Sequence, residues 1–140
     1  MQVKEVMTSR PHYLGEDATI REVAEAMRTN SSGFEPLTNS EKVVAVITDR
    51  DLVIEGLASG ADLDSPAKSV ASTKVLYTYE DNPVEDALAD MSKQQVQRLL
   101  VLDNADNKQL VGIVTIGDIA EKCTDESLFN HFVSAIQFYH

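Results

Sequence analysis

Two short stretches of this chain set a hydroxyl and a carboxylate at the same spacing: Thr48-Asp49-Arg50-Asp51 and Thr115-Ile116-Gly117-Asp118. Each follows a nearly all-apolar run, Val43 to Ile47 in the first and Leu110 to Val114 in the second. Thr, two spacers and Asp at a helix start resemble a capping box, in which the side chains satisfy free backbone N–H groups. The same geometry suits a ligand. Free N–H groups and the helix dipole attract an anion, and the Thr hydroxyl adds a donor. A carboxylate accepts two hydrogen bonds, which fits a ribose diol better than a phosphate, and each such bond is worth roughly 1.5–3 kcal/mol. Either motif alone reads as a cap; two at equivalent places point to binding. Arg50, the one cation in either motif, is set to meet a phosphate or to be a plain surface arginine.

The elements that must position these motifs are duplicated. At an offset of 64, Ile20, Val23, Ala24 and Met27 fall on Val84, Ala87, Leu88 and Met91. At an offset of 67, Val43 to Thr48 fall on Leu110 to Thr115, and Asp51-Leu52 on Asp118-Ile119. The three-residue slip falls in a polar, turn-rich stretch, where extra residues lengthen a loop at little cost. Each copy reads as β-α-β-β-α. An edge strand comes first, within Arg10 to Leu14 or Lys74 to Tyr79. A helix with a one-face apolar stripe follows, opened by Thr19 with Glu22 or by Asn82-Pro83 with Glu85. Two strands come next, Phe34 to Thr38 with Val43 to Ile47, and Arg98 to Leu102 with Leu110 to Val114. The second helices start near Thr48 and Thr115, the first stopping by Gly60, a good C′ residue.

A copy of about 55–60 residues is marginal alone. The fold class expected is therefore α+β, with two β-α-β-β-α repeats packed by pseudo-twofold symmetry and a C-terminal helix. The first repeat covers 1–64, the second 65–123 and the tail 124–140. Leu128, Phe129, Phe132, Val133 and Ile136 give the tail a helical stripe, docking on its own chain or on a partner subunit.

Composition removes whole classes of function. The 140 residues carry 12 Lys and Arg against 23 Asp and Glu, for a net charge of −11. So acidic a chain is unsuited to nucleic acid or to an anionic membrane surface. No apolar run approaches the roughly 18–20 residues needed to span a bilayer, and the opening residues show no signal-peptide pattern. The single cysteine, Cys123, closes no internal disulfide and points to the cytoplasm. His12, His131 and His140 are not at metal-ligand spacing. Asp103 and Asp106 lie in a loop lacking the Gly and terminal Glu of a calcium loop. No metal, cofactor or catalytic dyad is expected.

The repeat resembles the CBS domain, named for cystathionine β-synthase, in its tandem pair, the Bateman module. The matching residues are Val6-Met7-Thr8, Gly33-Phe34-Glu35-Pro36 and Val44 to Leu52, then Val96 to Val101 and Val111 to Ile119. Thr48 to Ala61 with its short linker is similar to stand-alone bacterial CBS-pair proteins of the hypoxic-response type. The resemblance implies two clefts between the copies, each taking an adenosine nucleotide such as AMP, ADP or ATP, or S-adenosylmethionine. It puts Asp51 and Asp118 on the ribose hydroxyls, and Thr48 and Thr115 on ribose or phosphate. It turns the backbone of Ser32-Gly33 and Val96-Gln97 to the adenine, and closes the pockets near His12 and Leu76.

Departures from the pattern make the two sites unequal. Ala45 replaces a usual Gly, kept at Gly112, so closer backbone approach is expected at the second site. Arg50 favours the first for phosphate. Glu35 replaces an apolar residue and points either toward the nucleotide or, the favoured expectation, to solvent.

The expected function is a non-catalytic regulatory module acting as a homodimer, joined through helix faces of both repeats, on an unknown effector protein. The alternative is a scaffold with vestigial clefts; a small nucleotide-processing enzyme is the least favoured.

Overall fold

A computed structural model of the chain describes residues 1–123, 126 and 129–136. In chain order the elements are β1 (Thr8–Ser9), β2 (Leu14–Gly15), α1 (Ile20–Asn30), β3 (Phe34–Asn39), β4 (Lys42–Thr48) and α2 (Asp49–Asp51). A π-helical segment (Leu52–Leu57) continues α2. Then come β5 (Tyr77–Tyr79), α3 (Val84–Gln94), β6 (Arg98–Leu102), β7 (Leu110–Thr115), α4 (Ile116–Lys122) and α5 (Phe129–Ile136). The class is α+β with the two expected repeats. The chain divides into two compact units, residues 12–75 and residues 1–11 with 76–140.

In the unit of residues 12–75, β2 runs parallel to β3, and β3 antiparallel to β4. Local chemistry starts and stops α1. Thr19 Oγ1 accepts from Glu22 N–H at 3.1 Å, and Thr19 N–H donates to Glu22 Oε1 at 3.2 Å, the reciprocal box that satisfies two orphan donors. Ser31 ends the helix in the left-handed region at φ 51. The stripe Ile20, Val23 and Met27 packs on Leu37, Ala45 and Ile47 of the sheet.

Ser40 and Glu41 form the two-residue turn between β3 and β4, with φ 50 and 69. Two consecutive positive φ values mark a type I′ hairpin, which favours Asn-Gly. Ser40→Asn with Glu41→Gly is therefore expected to stabilise the protein by about 1 kcal/mol, readable as a higher midpoint in urea unfolding.

The other unit holds a four-stranded sheet in the order β1-β7-β6-β5. The opening residues of the chain thus join the sheet of the second repeat, with Thr8 opposite Ile113 and Ser9 opposite Gly112. Val3 and Val6 are buried with Val84, Leu88, Met91 and Leu99. The equivalent stretch before the second repeat does the same for the first. Ala67 and Val70 lie in the core of residues 12–75, and Ser72 and Val46 exchange backbone hydrogen bonds at 2.8 and 2.9 Å. Each unit is therefore built from the opening segment of one repeat and the body of the other.

Several expectations change in detail. Asn82 does not cap α3. Pro83 holds that position without a side-chain bond, while Asn82 Nδ2 donates to Thr78 Oγ1 at 3.0 Å. The segment after α2 winds as a π-helix, with Ala58 N–H donating to Val53 O at 2.9 Å. The tail helix α5 docks on its own chain, against α3 and α4. Phe132 packs on that core and Ser92 Oγ donates to Ser134 Oγ at 2.6 Å, while Val133 and Ile136 of the stripe stay exposed. Leu128 of the stripe, and His140, lie outside the described residues. The Asp103 carboxylate closes the longer second hairpin, accepting from the N–H groups of Asn104 and Gln109 at 2.7 and 2.9 Å. No helix among the described residues is long and apolar enough to cross a membrane.

Candidate functional site

The capping boxes form at both motifs. Thr48 Oγ1 accepts from Asp51 N–H at 3.1 Å, and Thr48 N–H donates to Asp51 Oδ2 at 2.9 Å. Thr115 and Asp118 repeat the pair at 3.0 Å in both directions. The box engages Oδ2 of each aspartate and leaves Oδ1 outside it. Both aspartates are half-buried at a helix start, where the first N–H groups of the helix lack partners within it.

The backbone brings the leads of the middle strands to these helix starts. Asp49 N–H donates to Gly33 O at 2.9 Å, and Ile116 N–H donates to Gln97 O at 2.9 Å. Ser32-Gly33 thus joins Thr48 and Asp51 in one unit, and Val96-Gln97 joins Thr115 and Asp118 in the other. Ser32 Oγ donates to Phe34 O at 3.0 Å, and Val96 packs on its own core. Arg50 is exposed, and its guanidinium makes no hydrogen bond or ion pair among the described residues. His12 is exposed and precedes β2. Leu14 pairs with Leu37, so His12, two residues earlier, lies toward Glu35 at the start of β3.

Two residues gain roles that sequence reasoning missed. A Cβ added to Gly33 would lie 2.6 Å from Asp49 Oδ2, so Gly33 makes room for the Asp49 carboxylate. The only sequence signal for this was a Gly in front of a strand. Glu35 faces inward rather than to solvent, and it is 1% exposed. It pairs with Ile47 and alternates with Leu37, which puts all three on the core face of the sheet. Its Oε1 is buried without a hydrogen-bond partner among the described residues. Burial pushes its carboxyl above the usual range, and the nearby charge of His12 opposes that. The period-2 register was the signal that could have found it.

Gly112 also has a structural explanation. A Cβ there would meet Met7 Sδ at 2.5 Å and Thr8 O at 2.9 Å. The close approach is made by the chain's own opening segment, and this accounts for the glycine without a ligand.

A duplicated α+β repeat, with a Thr/Asp box opening each second helix and bonded to the lead of the middle strand, defines a tandem small-domain module. The model of the CBS domain matches residues 3–57 and 67–125. The chain belongs to the CBS domain family, as a tandem pair. It is 31% identical over 135 residues to Hypoxic response protein 1 of Mycobacterium tuberculosis, covering 95% of this chain and 92% of that protein. Among solved structures it is similar to CBS domain protein PAE2072 from Pyrobaculum aerophilum complexed with AMP. There the TM-score is 0.77 at 29% identity, covering 96% of this chain and 100% of that one. It is also similar to the CBS domain pair of protein MJ0100 in complex with 5-methylthioadenosine and S-adenosyl-L-methionine. That match has a TM-score of 0.77 at 26% identity and covers 86% of this chain and 94% of that one.

Proposed function

We propose that this CBS pair is a regulatory module without catalysis that binds an adenosine nucleotide or an adenosyl ligand. The first set of residues is Thr48, Arg50 and Asp51 with Ser32, Gly33 and His12. The second is Thr115 and Asp118 with Val96 and Gln97. The observation that carries the reading is the duplicated box, half-buried and bonded through its helix start to Gly33 or Gln97. The complexes of similar CBS pairs with AMP and with S-adenosyl-L-methionine support it.

Chemistry assigns the roles. Asp51 and Asp118 accept from the ribose hydroxyls through Oδ1, the oxygen outside the box. The Thr hydroxyl of each box donates to ribose or phosphate oxygens, and Arg50 adds a cation at the first set. The backbone of Ser32-Gly33 and Val96-Gln97 lies against the base. Occupancy then shifts the population between arrangements of different ligand affinity, which an effector protein in the cytoplasm reads. The test is a thermal-shift screen of ligand-free protein against AMP, ADP, ATP and S-adenosylmethionine. No response to any of them would leave the scaffold reading in its place.

The working form in this proposal is a homodimer, the second copy covering the π-helical segment. Val53, Ile54 and Leu57 are exposed there, Leu57 at 76%, and the matching places in the second repeat carry Ala120, Glu121 and Thr124. An isologous contact through this face is the commonest way to cover such a patch. Light scattering at micromolar concentration is expected to give twice the 15.4 kDa chain mass, and Leu57→Glu to give the single mass. A monomeric parent protein would refute the dimer.

A further inference from the structure

The two repeats carry different chemistry at one equivalent pair of positions. In the second repeat the pair is Leu76 and Leu99, with Leu99 2% exposed in the core and Leu76 packed against it. In the first repeat the same places hold His12 and Glu35, by the offset of 64 and by the strand registers, Leu14 opposite Leu37 and Thr78 opposite Val101. A titratable pair therefore stands where the sister repeat has an apolar one.

Glu35 is almost fully buried, on the same sheet face as Leu37 and opposite Ile47, and its Oε1 has no partner among the described residues. The groups on the surrounding elements do not relieve it. Asp51 is held in its box with Thr48, and Asp49 accepts from Arg50 N–H at 2.8 Å. The α1 face above the sheet carries Ile20, Val23 and Met27. Exposed His12 is the charge that bears on Glu35, acting through space rather than through a hydrogen bond. An ionised carboxylate this nearly buried, with one oxygen unpartnered among the described residues, is costly, and a bound proton removes the cost.

We infer that Glu35, with His12 beside it, is a proton-sensitive element built into the first repeat, which tightens the unit of residues 12–75 when Glu35 is protonated and loosens it when Glu35 ionises. The direction follows from linkage. Burial raises the Glu35 carboxyl above its unfolded value, so the folded state holds this proton more firmly. Its stabilisation is complete below the unfolded value, about 4.3, and is lost as pH rises through the folded one. The nearby charge of His12 favours the ionised carboxylate and opposes this, burial being the larger effect. Glu35 lies two residues from Gly33, so loosening at the start of β3 acts on the lead held to α2. The element itself works without any ligand.

The test compares unfolding midpoints of ligand-free wild type, Glu35→Leu and Glu35→Gln between about pH 5 and pH 8. Glu35→Leu copies the sister repeat; Glu35→Gln keeps size and polarity while removing the titration. Wild type is expected to lose at least about 3 °C more than either variant as pH rises. At the alkaline end Glu35→Leu is expected to melt above wild type. Parallel pH profiles for wild type and Glu35→Gln would overturn the inference, even if Glu35→Leu failed to fold.

Discussion

Saturating AMP is expected to raise the unfolding midpoint of the ligand-free protein by roughly 5–10 °C for one occupied site. A ligand at 100 times its dissociation constant adds about 2.7 kcal/mol per site, and each kcal/mol moves a chain near this length by roughly 2–4 °C. Asp51→Ala with Asp118→Ala is expected to remove most of that rise. The same aspartates close the boxes at Thr48 and Thr115, so each substitution also costs about 0.5–2 kcal/mol of stability without ligand. The quantity to compare is the rise on adding AMP within each variant, not the absolute midpoint. Asp51→Asn with Asp118→Asn keeps an oxygen acceptor for the cap while weakening the charge-assisted bonds to ribose. It is expected to restore much of the unliganded stability and only part of the AMP response. If the double alanine variant kept the full rise, the ribose role of the two aspartates would be wrong. At the first repeat, Arg50→Ala is expected to reduce the gain of AMP over adenosine, as is high salt, because the guanidinium is exposed and its attraction is screened.

Gly112→Ala is expected to destabilise the protein by about 1–3 kcal/mol, the usual cost of overpacking. The new methyl would meet Met7 Sδ at 2.5 Å and Thr8 O at 2.9 Å. The Met7 side chain can turn aside, but Thr8 O belongs to the backbone of β1, which pairs with β7 at this point. The first repeat shows how the crowding is relieved. Ala45 stands at the place of Gly112, and Ala71 at the place of Met7; Ala71 packs on the core that contains Ala45. A larger residue on the sheet goes with a smaller one on the segment that crosses it. Met7→Ala in the Gly112→Ala background is therefore expected to recover part of the loss, although Met7→Ala alone removes packing. Denaturant unfolding of the four proteins in a double-mutant cycle measures the coupling. Additive effects would mean that the two side chains do not share the space.

What the sequence determined by itself was local or periodic. The boxes at Thr19, Thr48 and Thr115 close between residues three apart, so their spacing alone specifies them. The apolar stripes of α1 and α3 and the middle strands followed from periods of about 3.6 and 2. The internal repeat then made one reading serve twice. The candidate site was legible to the same extent, because its Thr and Asp residues sit on those local boxes. What the tertiary structure decided depends on contacts between distant residues. Thr8 meets Ile113 across more than a hundred residues, and nothing within 1–11 specifies that its sheet partner is β7. The same crossing explains Gly112, whose neighbour is Met7 rather than anything near it in the chain. Asn82 passed for a cap because its own neighbours allow it, until Thr78 took its amide. Glu35 looked like a surface residue because a carboxylate is rarely buried unpaired. The strand register placed it opposite Ile47 on the core face, and in a strand the alternation of faces overrides the preference of one side chain.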